Sequence, residues 1–216
     1  REFIFHIDGT PAVGAPVPDV SQIENPGYFH VMGCSLTANE AFCRRIVETA
    51  LAFRERGAKL SFDPNIRPEL LHGNLAEIIA PIVENSAILL PGVEELLMMS
   101  GADTVEAAVP ALFQRETLEC IVLKNGSKGC RVFTREGEWS VPAYTVEQAD
   151  ATGAGDCFDG AFLAALALGK PLEQAAREAN AAGALNAAAF GPMEGTISPE
   201  TVRAMIAGQT APTAAQ

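Results

Sequence analysis

The feature that most limits what this chain can fold into is its regular alternation of short apolar runs with amphipathic stretches. The runs at 28–32, 59–62, 87–90 and 120–123 are too short for helices and read as buried strands. Between them, Phe42, Ile46, Thr49 and Phe53 recur at helical spacing, and Gly57 closes that helix. Further helices are expected over 75–84, 94–99, 105–115, 155–168 and 172–189, with a last one starting at the Ser-Pro-Glu cap at 198–200. Residues 130–133 and 138–141 are expected to pair as a hairpin, and residues 2–7 alternate as a half-buried strand does. Alternating elements of this kind give an α/β fold built on right-handed βαβ units. Its sheet is mostly parallel, with helices on both faces. Ligands of such sheets bind at the carboxyl ends of the strands.

Charge excludes one class of partner. The chain of 216 residues carries a net charge of −12, and nucleic-acid binding draws its affinity from clustered Lys and Arg. No apolar stretch is long enough to span a bilayer, so no membrane partner is expected. The five cysteines form no Cys-x-x-Cys pair, which fits a reducing, cytoplasmic home rather than a disulfide scaffold. The histidines His6, His30 and His72 lack metal-ligand spacing. No internal repeat or dividing linker is seen. The Thr-, Ala- and Gln-rich stretch at 209–216 reads as a disordered tail.

The chemistry is concentrated in the run Asp-Ala-Thr-Gly-Ala-Gly-Asp-Cys-Phe-Asp-Gly at 150–160. Gly153, Ala154 and Gly155 expose the backbone, and a helix begins at once, with Phe158, Phe162 and Leu166 on one face. Free N–H groups at a helix start form an anion site, reinforced by the helix dipole. Asp156 sits in the same turn. Donors for a phosphoryl group beside a carboxylate that can take a proton suit phosphoryl transfer to an alcohol. The plainer alternative is a glycine turn whose aspartate caps a helix. A second stretch, Asp-Pro-Asn-Ile-Arg-Pro at 63–68, ends a strand and delivers Asp63, Asn65 and Arg67 into one loop. Arg67 suits a phosphate or carboxylate, and Asx turns that staple the loop to itself are the alternative. Cys157, at a helix start, could have a lowered pKa, although a packing role is preferred.

The 150–160 run resembles the second signature of the ribokinase (pfkB) family of carbohydrate kinases, with Ala151 where the family has Thr. The resemblance extends over about 29–206 and implies a ribokinase-like fold. It makes Asp156 the catalytic base and Gly153, Ala154 and Gly155 the anion hole. It also assigns Asp150, Thr152 and Gly191 to a monovalent cation, K+. The segment Lys124, Gly126, Ser127 and Gly129 resembles the family's Lys-x-Gly-x-x-Gly loop beside the nucleotide, for which a hairpin turn is the local alternative. Asn180 and Gly183 resemble the wall around adenine, where helix packing is the alternative. Glu95 fits the Glu of the family's Asn-x-x-Glu motif, which acts on Mg2+ through water, but Gly92 replaces the Asn. The 63–68 stretch resembles the branch of 2-keto-3-deoxygluconate kinase, fructokinase and tagatose kinase, and Arg1 falls where that branch contacts its sugar.

The resemblance implies an ATP- and Mg2+-dependent sugar kinase. Its first expected substrate is 2-keto-3-deoxygluconate, followed by tagatose or fructose. Residues 1–208 are expected to form the C-terminal portion of a single kinase domain, with the natural protein beginning upstream and most of the lid lying there. A homodimer is expected from relatives. A sensor that binds sugar or nucleotide without turnover would keep the pocket and lose the base. A dinucleotide oxidoreductase would need a Gly-x-Gly-x-x-Gly after an early strand, and none occurs.

Overall fold

The computed structural model describes residues 4–7, 9–71 and 73–208. Arg1, His72 and the stretch 209–216 therefore lie outside the described residues. The chain divides into two compact units between Ile121 and Val122.

The first unit opens with a single helical turn, α1 (Pro11–Gly14), and a 3-10 turn at Val20–Gln22. Both lie in the Pro- and Gly-containing stretch that precedes residue 27. Residues 4–7 carry no strand, contrary to the alternation at 2–7. Ile4 is 85% exposed, so the pattern has no buried face there to satisfy.

Strand β1 (Tyr28–Met32) leads into a short helix α2 (Gly33–Ala38) and then α3 (Glu40–Glu55). Asn39 caps α3, its side-chain oxygen accepting from the amides of Ala41 and Phe42. Phe53 on the buried face of α3 stacks on Phe29 of β1 with ring centroids 4.6 Å apart. Gly57, at φ 94°, lets the chain turn into β2 (Lys59–Asp63). Then come α4 (Leu75–Val83), β3 (Ser86–Leu89), α5 (Val93–Ser100), α6 (Val105–Leu112) and β4 (Cys120–Lys124).

Strands β1, β2, β3 and β4 pair in parallel, as the alternation requires. One irregularity between Leu60 and Ser61 slips Ala87 past its partner. Phe62, Leu89 and Ile121 are fully buried at 0% exposure, so the sheet is the core of the unit. Met32 stands opposite Asp63, which puts the polar loop after β2 level with the turn into α2.

The second unit contains β5 (Cys130–Phe133) and β6 (Glu138–Val141), paired antiparallel with Cys130 opposite Val141. The helices α7 (Ala154–Ala167), α8 (Leu172–Ala187) and α9 (Pro199–Gly208) follow. The alanine-rich face of α8 packs against α7. Strand order follows the sequence, β1-β2-β3-β4-β5-β6. Among the described residues, no helix is long and apolar enough to cross a membrane.

Candidate functional site

The second unit holds a cavity of about 410 Å³, lined by Lys124, Gly126, Ser127 and Gly129 on one side and by Ala154, Gly155, Asn180 and Gly183 on another. The segment 143–148 supplies a wall that the sequence did not announce. The cavity exists because three glycines let main chains come close. Gly129, at φ 88°, packs so tightly that a Cβ there would fall 2.0 Å from the Val141 carbonyl oxygen. A Cβ on Gly183 would meet the Ala154 carbonyl oxygen at 3.1 Å, so α8 rests directly on the start of α7. Gly153, at φ 77°, turns the chain into α7, and a Cβ there would lie 3.3 Å from Pro192 Cα.

The turn into α7 has the expected form, with one change in its donors. The Ala154 amide donates to the Ala151 carbonyl at 3.2 Å, so it is not available to an anion as expected. The next two amides, of Gly155 and Asp156, have no backbone partner among the described residues. Asp156 and Gly155 are both exposed in this first turn. Asp150 accepts from the Thr152 amide at 2.9 Å and from its hydroxyl at 2.7 Å, closing the loop on itself. The Asn186 side chain donates to the Thr152 carbonyl at 2.8 Å and so ties this loop to α8.

Two residues in this unit had no assigned role in the sequence reading. Asp159, one turn after Asp156, is buried and holds the Lys124 ammonium at 3.1 and 3.3 Å. An aspartate between Phe158 and Phe162 on an otherwise apolar helix was the available signal. Asn186 is 0% exposed, and its side-chain oxygen has no hydrogen-bond partner among the described residues. Asn180 lines the cavity, but its amide donates to the carbonyls of Val141 at 3.1 Å and Pro142 at 3.3 Å. It therefore fastens the chain leaving β6.

In the first unit, the strand ends gather the other predicted residues. Asp63 is buried, and its carboxylate accepts from the Asn65 amide at 3.2 Å, which is the self-stapling Asx turn. Asn65 sits at φ 37° within it. Arg67 is half-buried and donates to the Ile66 carbonyl at 3.2 Å. Glu95 is no free helix carboxylate. One oxygen accepts from the Gly92 amide at 2.8 Å and the other from the Ile66 amide at 3.0 Å. It caps α5 and anchors the 63–67 loop together. Replacing Glu95 by Ala leaves both amides without their acceptor and should cost about 1–3 kcal/mol, read by urea denaturation. Glu95→Gln, which keeps one acceptor oxygen, should recover part of that loss.

At Cys157 the burial agrees with the preferred packing role. Cys157 is not activated by its helix start. Burial raises its pKa first, and the Asp156 charge raises it further. Burial pushes the Cys130 thiol up to about 12. A raised pKa means less thiolate at a given pH, so both should resist iodoacetamide at pH 8, Cys130 more strongly. Timed alkylation read by mass spectrometry checks this. Cys157 should react faster in Asp156→Asn, where the second of its two causes is gone; an unchanged rate would assign its inertness to burial alone.

A glycine turn into a helix, with two amides free of backbone partners and Gly155 lining a cavity, is an arrangement that suits an anionic ligand. Comparison with known proteins agrees. The pfkB family carbohydrate kinase pattern matches residues 10–199. Fructokinase-1 of Oryza sativa subsp. japonica is 35% identical over 179 residues, which are 78% of this chain and 55% of the rice protein. The crystal structure of a candidate ribokinase II from E. coli, in complex with ATP and Mg2+, matches with a TM-score of 0.86 at 31% identity, over 97% of this chain and 68% of that one. A fructokinase double mutant from Vibrio cholerae O395, bound to fructose, ADP and potassium, matches with a TM-score of 0.76 at 26% identity, over 87% of this chain and 64% of that one. The chain belongs to the pfkB family of carbohydrate kinases. It spans little more than half the length of the rice relative.

Proposed function

We propose that this chain carries the nucleotide site and catalytic base of an ATP-dependent sugar kinase that phosphorylates a hydroxyl of a ketose or keto-sugar acid. The observation that carries the reading is the turn at 153–156, which offers two amides and a carboxylate at the edge of the 410 Å³ cavity. The Asp156 carboxylate takes the proton of the attacking hydroxyl. The Gly155 and Asp156 amides, aligned by the start of α7, receive the charge on the transferred group, while Gly153 supplies the turn that presents them. Ala154 acts by shape, its small side chain leaving room beside the loop. Lys124, Gly126, Ser127 and Gly129 flank the nucleotide, with Asn180 and Gly183 behind it. MgATP supplies the phosphoryl group, and the metal offsets charge on its phosphates.

The residues fit these groups. Each Glu95 oxygen accepts from one amide and keeps a lone pair, which suits a contact with a water of Mg2+. The expected K+ partners are Asp150, Thr152 and Gly191; the Thr152 carbonyl is held by buried Asn186, whose side-chain oxygen has no hydrogen-bond partner among the described residues and is a group that a cation would satisfy.

For the sugar, the Asp63, Asn65 and Arg67 loop is the proposed contact. Arg67 suits the carboxylate of 2-keto-3-deoxygluconate. The rice and Vibrio relatives, named fructokinases, favour fructose. The test is ADP release with MgATP and a panel of 2-keto-3-deoxygluconate, fructose, tagatose, ribose and adenosine. Turnover on one of the first three, lost in Asp156→Asn, is the expected result. Nucleotide binding without turnover in either protein would replace the kinase with a sensor. All five cysteines are free, which suits the cytoplasm.

A further inference from the structure

We infer that Asp159 is a positioning residue that holds the Lys124 ammonium as a fixed counter-charge for the terminal phosphates of the nucleotide. This rests on the proposed nucleotide site.

The starting point is an acid in the wrong place. Asp159 lies on the face of α7 that also buries Phe158, Phe162 and Ala165. The residue is 1% exposed. Taking a carboxylate out of water is costly unless it is paired and hydrogen-bonded, and here Lys124 meets both its oxygens. Stability does not explain the arrangement. A buried ion pair is commonly no better for stability than two well-packed apolar side chains, whereas losing one partner is strongly destabilising.

The direction of the pair supplies a reason for it. Lys124 lines the cavity and Asp159 does not. The lysine side chain is 18% exposed and the aspartate side chain 2%. The pair is therefore a dipole with its positive end turned to the cavity. The ammonium lies 3.8 Å from the point where a Gly155 Cβ would stand, beside the turn whose Gly155 and Asp156 amides are free of backbone partners. The cation and Gly155 thus stand together in the cavity lining, with the Asp156 amide next along the chain. A lysine at the end of a strand has a long, flexible stem, and left alone it would sample solvent. The buried carboxylate fixes where the charge sits before the ligand arrives, which is the condition under which a charge contributes most to binding. Gly155 is part of the same device, since a side chain there would stand between the ammonium and the turn.

The experiment is calorimetric titration of ATP and of adenosine into wild type, Lys124→Met, Asp159→Asn and the double variant Lys124→Met/Asp159→Leu, with a thermal melt of each. Adenosine occupies the cavity without reaching its phosphate end. Lys124→Met and Asp159→Asn should each weaken ATP about tenfold or more while leaving adenosine unchanged. The double variant should bind ATP no worse than Lys124→Met alone, because both substitutions remove the same interaction. Wild-type ATP affinity in Asp159→Asn, or an equal loss of ATP and adenosine, would reduce Asp159 to a structural role and leave the kinase reading standing. Failure of wild type to bind ATP would remove both. Should Asp159→Asn not fold, Asp159→Glu keeps the charge and displaces the ammonium; unchanged ATP affinity there would equally overturn the inference.

Discussion

Replacing Asp156 by Asn should lower turnover by about 10²- to 10⁴-fold while ATP still binds. The substitution keeps the shape of the side chain and removes only its ability to take a proton. Asp156 is exposed in the first turn of α7, so nothing packs on it that Asn would disturb. Its charge near a helix N-terminus contributes about 0.3–1 kcal/mol to stability, too little to unfold the protein and account for such a loss. The Gly155 and Asp156 amides remain in both proteins, so the anion site survives. Steady-state ADP release with paired ATP titrations separates the two effects. A variant as active as wild type would leave Asp156 as a helix-start acid and move the base elsewhere.

Gly129→Ala should be the most damaging of the small substitutions, lowering stability by about 3 kcal/mol or more. Two penalties coincide there. The backbone sits at φ 88° and ψ −140°, which a residue with a Cβ adopts only under strain. The new Cβ would also lie 2.0 Å from the Val141 oxygen and 2.6 Å from the Ala143 nitrogen. Both obstacles are backbone, so no side chain can swing away. Because Ala143 lines the cavity, relief of the clash must move a cavity wall, and ATP affinity should fall with stability. Gly126 provides the contrast within the same loop. It sits at φ 53°, but nothing lies within 4 Å of its Cβ position. Gly126→Ala should therefore cost only about 1–2 kcal/mol. Parallel urea melts of the two variants decide the matter, and equal losses would show that the close approach to Val141 is not what Gly129 is for.

The sequence made periodicity visible, and the elements that depend on periodicity match. The β5–β6 hairpin falls on the expected residues, and α3 buries Thr49 and Phe53 as their spacing implies. Residues 4–7 show where periodicity misleads, because alternation reports a strand only if one side is buried. Contacts between distant segments left no such trace. Lys124 and Asp159 are 35 positions apart, and only the packing of α7 brings them together. The Gly-rich loop at 126–129 reads locally as a turn, yet what requires Gly129 is the chain after β6. Glu95 was legible as a carboxylate at a helix start but not as an anchor for Ile66, 29 residues earlier. The glycine turn into α7 was legible because its glycines and its acid are consecutive, although the internal use of the Ala154 amide was not.

The contact of Gly183 with the Ala154 carbonyl has a consequence for how such a site can change its choice of base. Any side chain added at 183 would press on the first turn of α7 and shift the Gly155 and Asp156 amides proposed to receive the phosphoryl group. At Gly183 the α8 wall is thus mechanically coupled to the proposed anion site. The 143–148 wall carries no such coupling through Gly183. A preference for one purine over another, whether reached by mutation or by design, is more readily written into that segment than at Gly183.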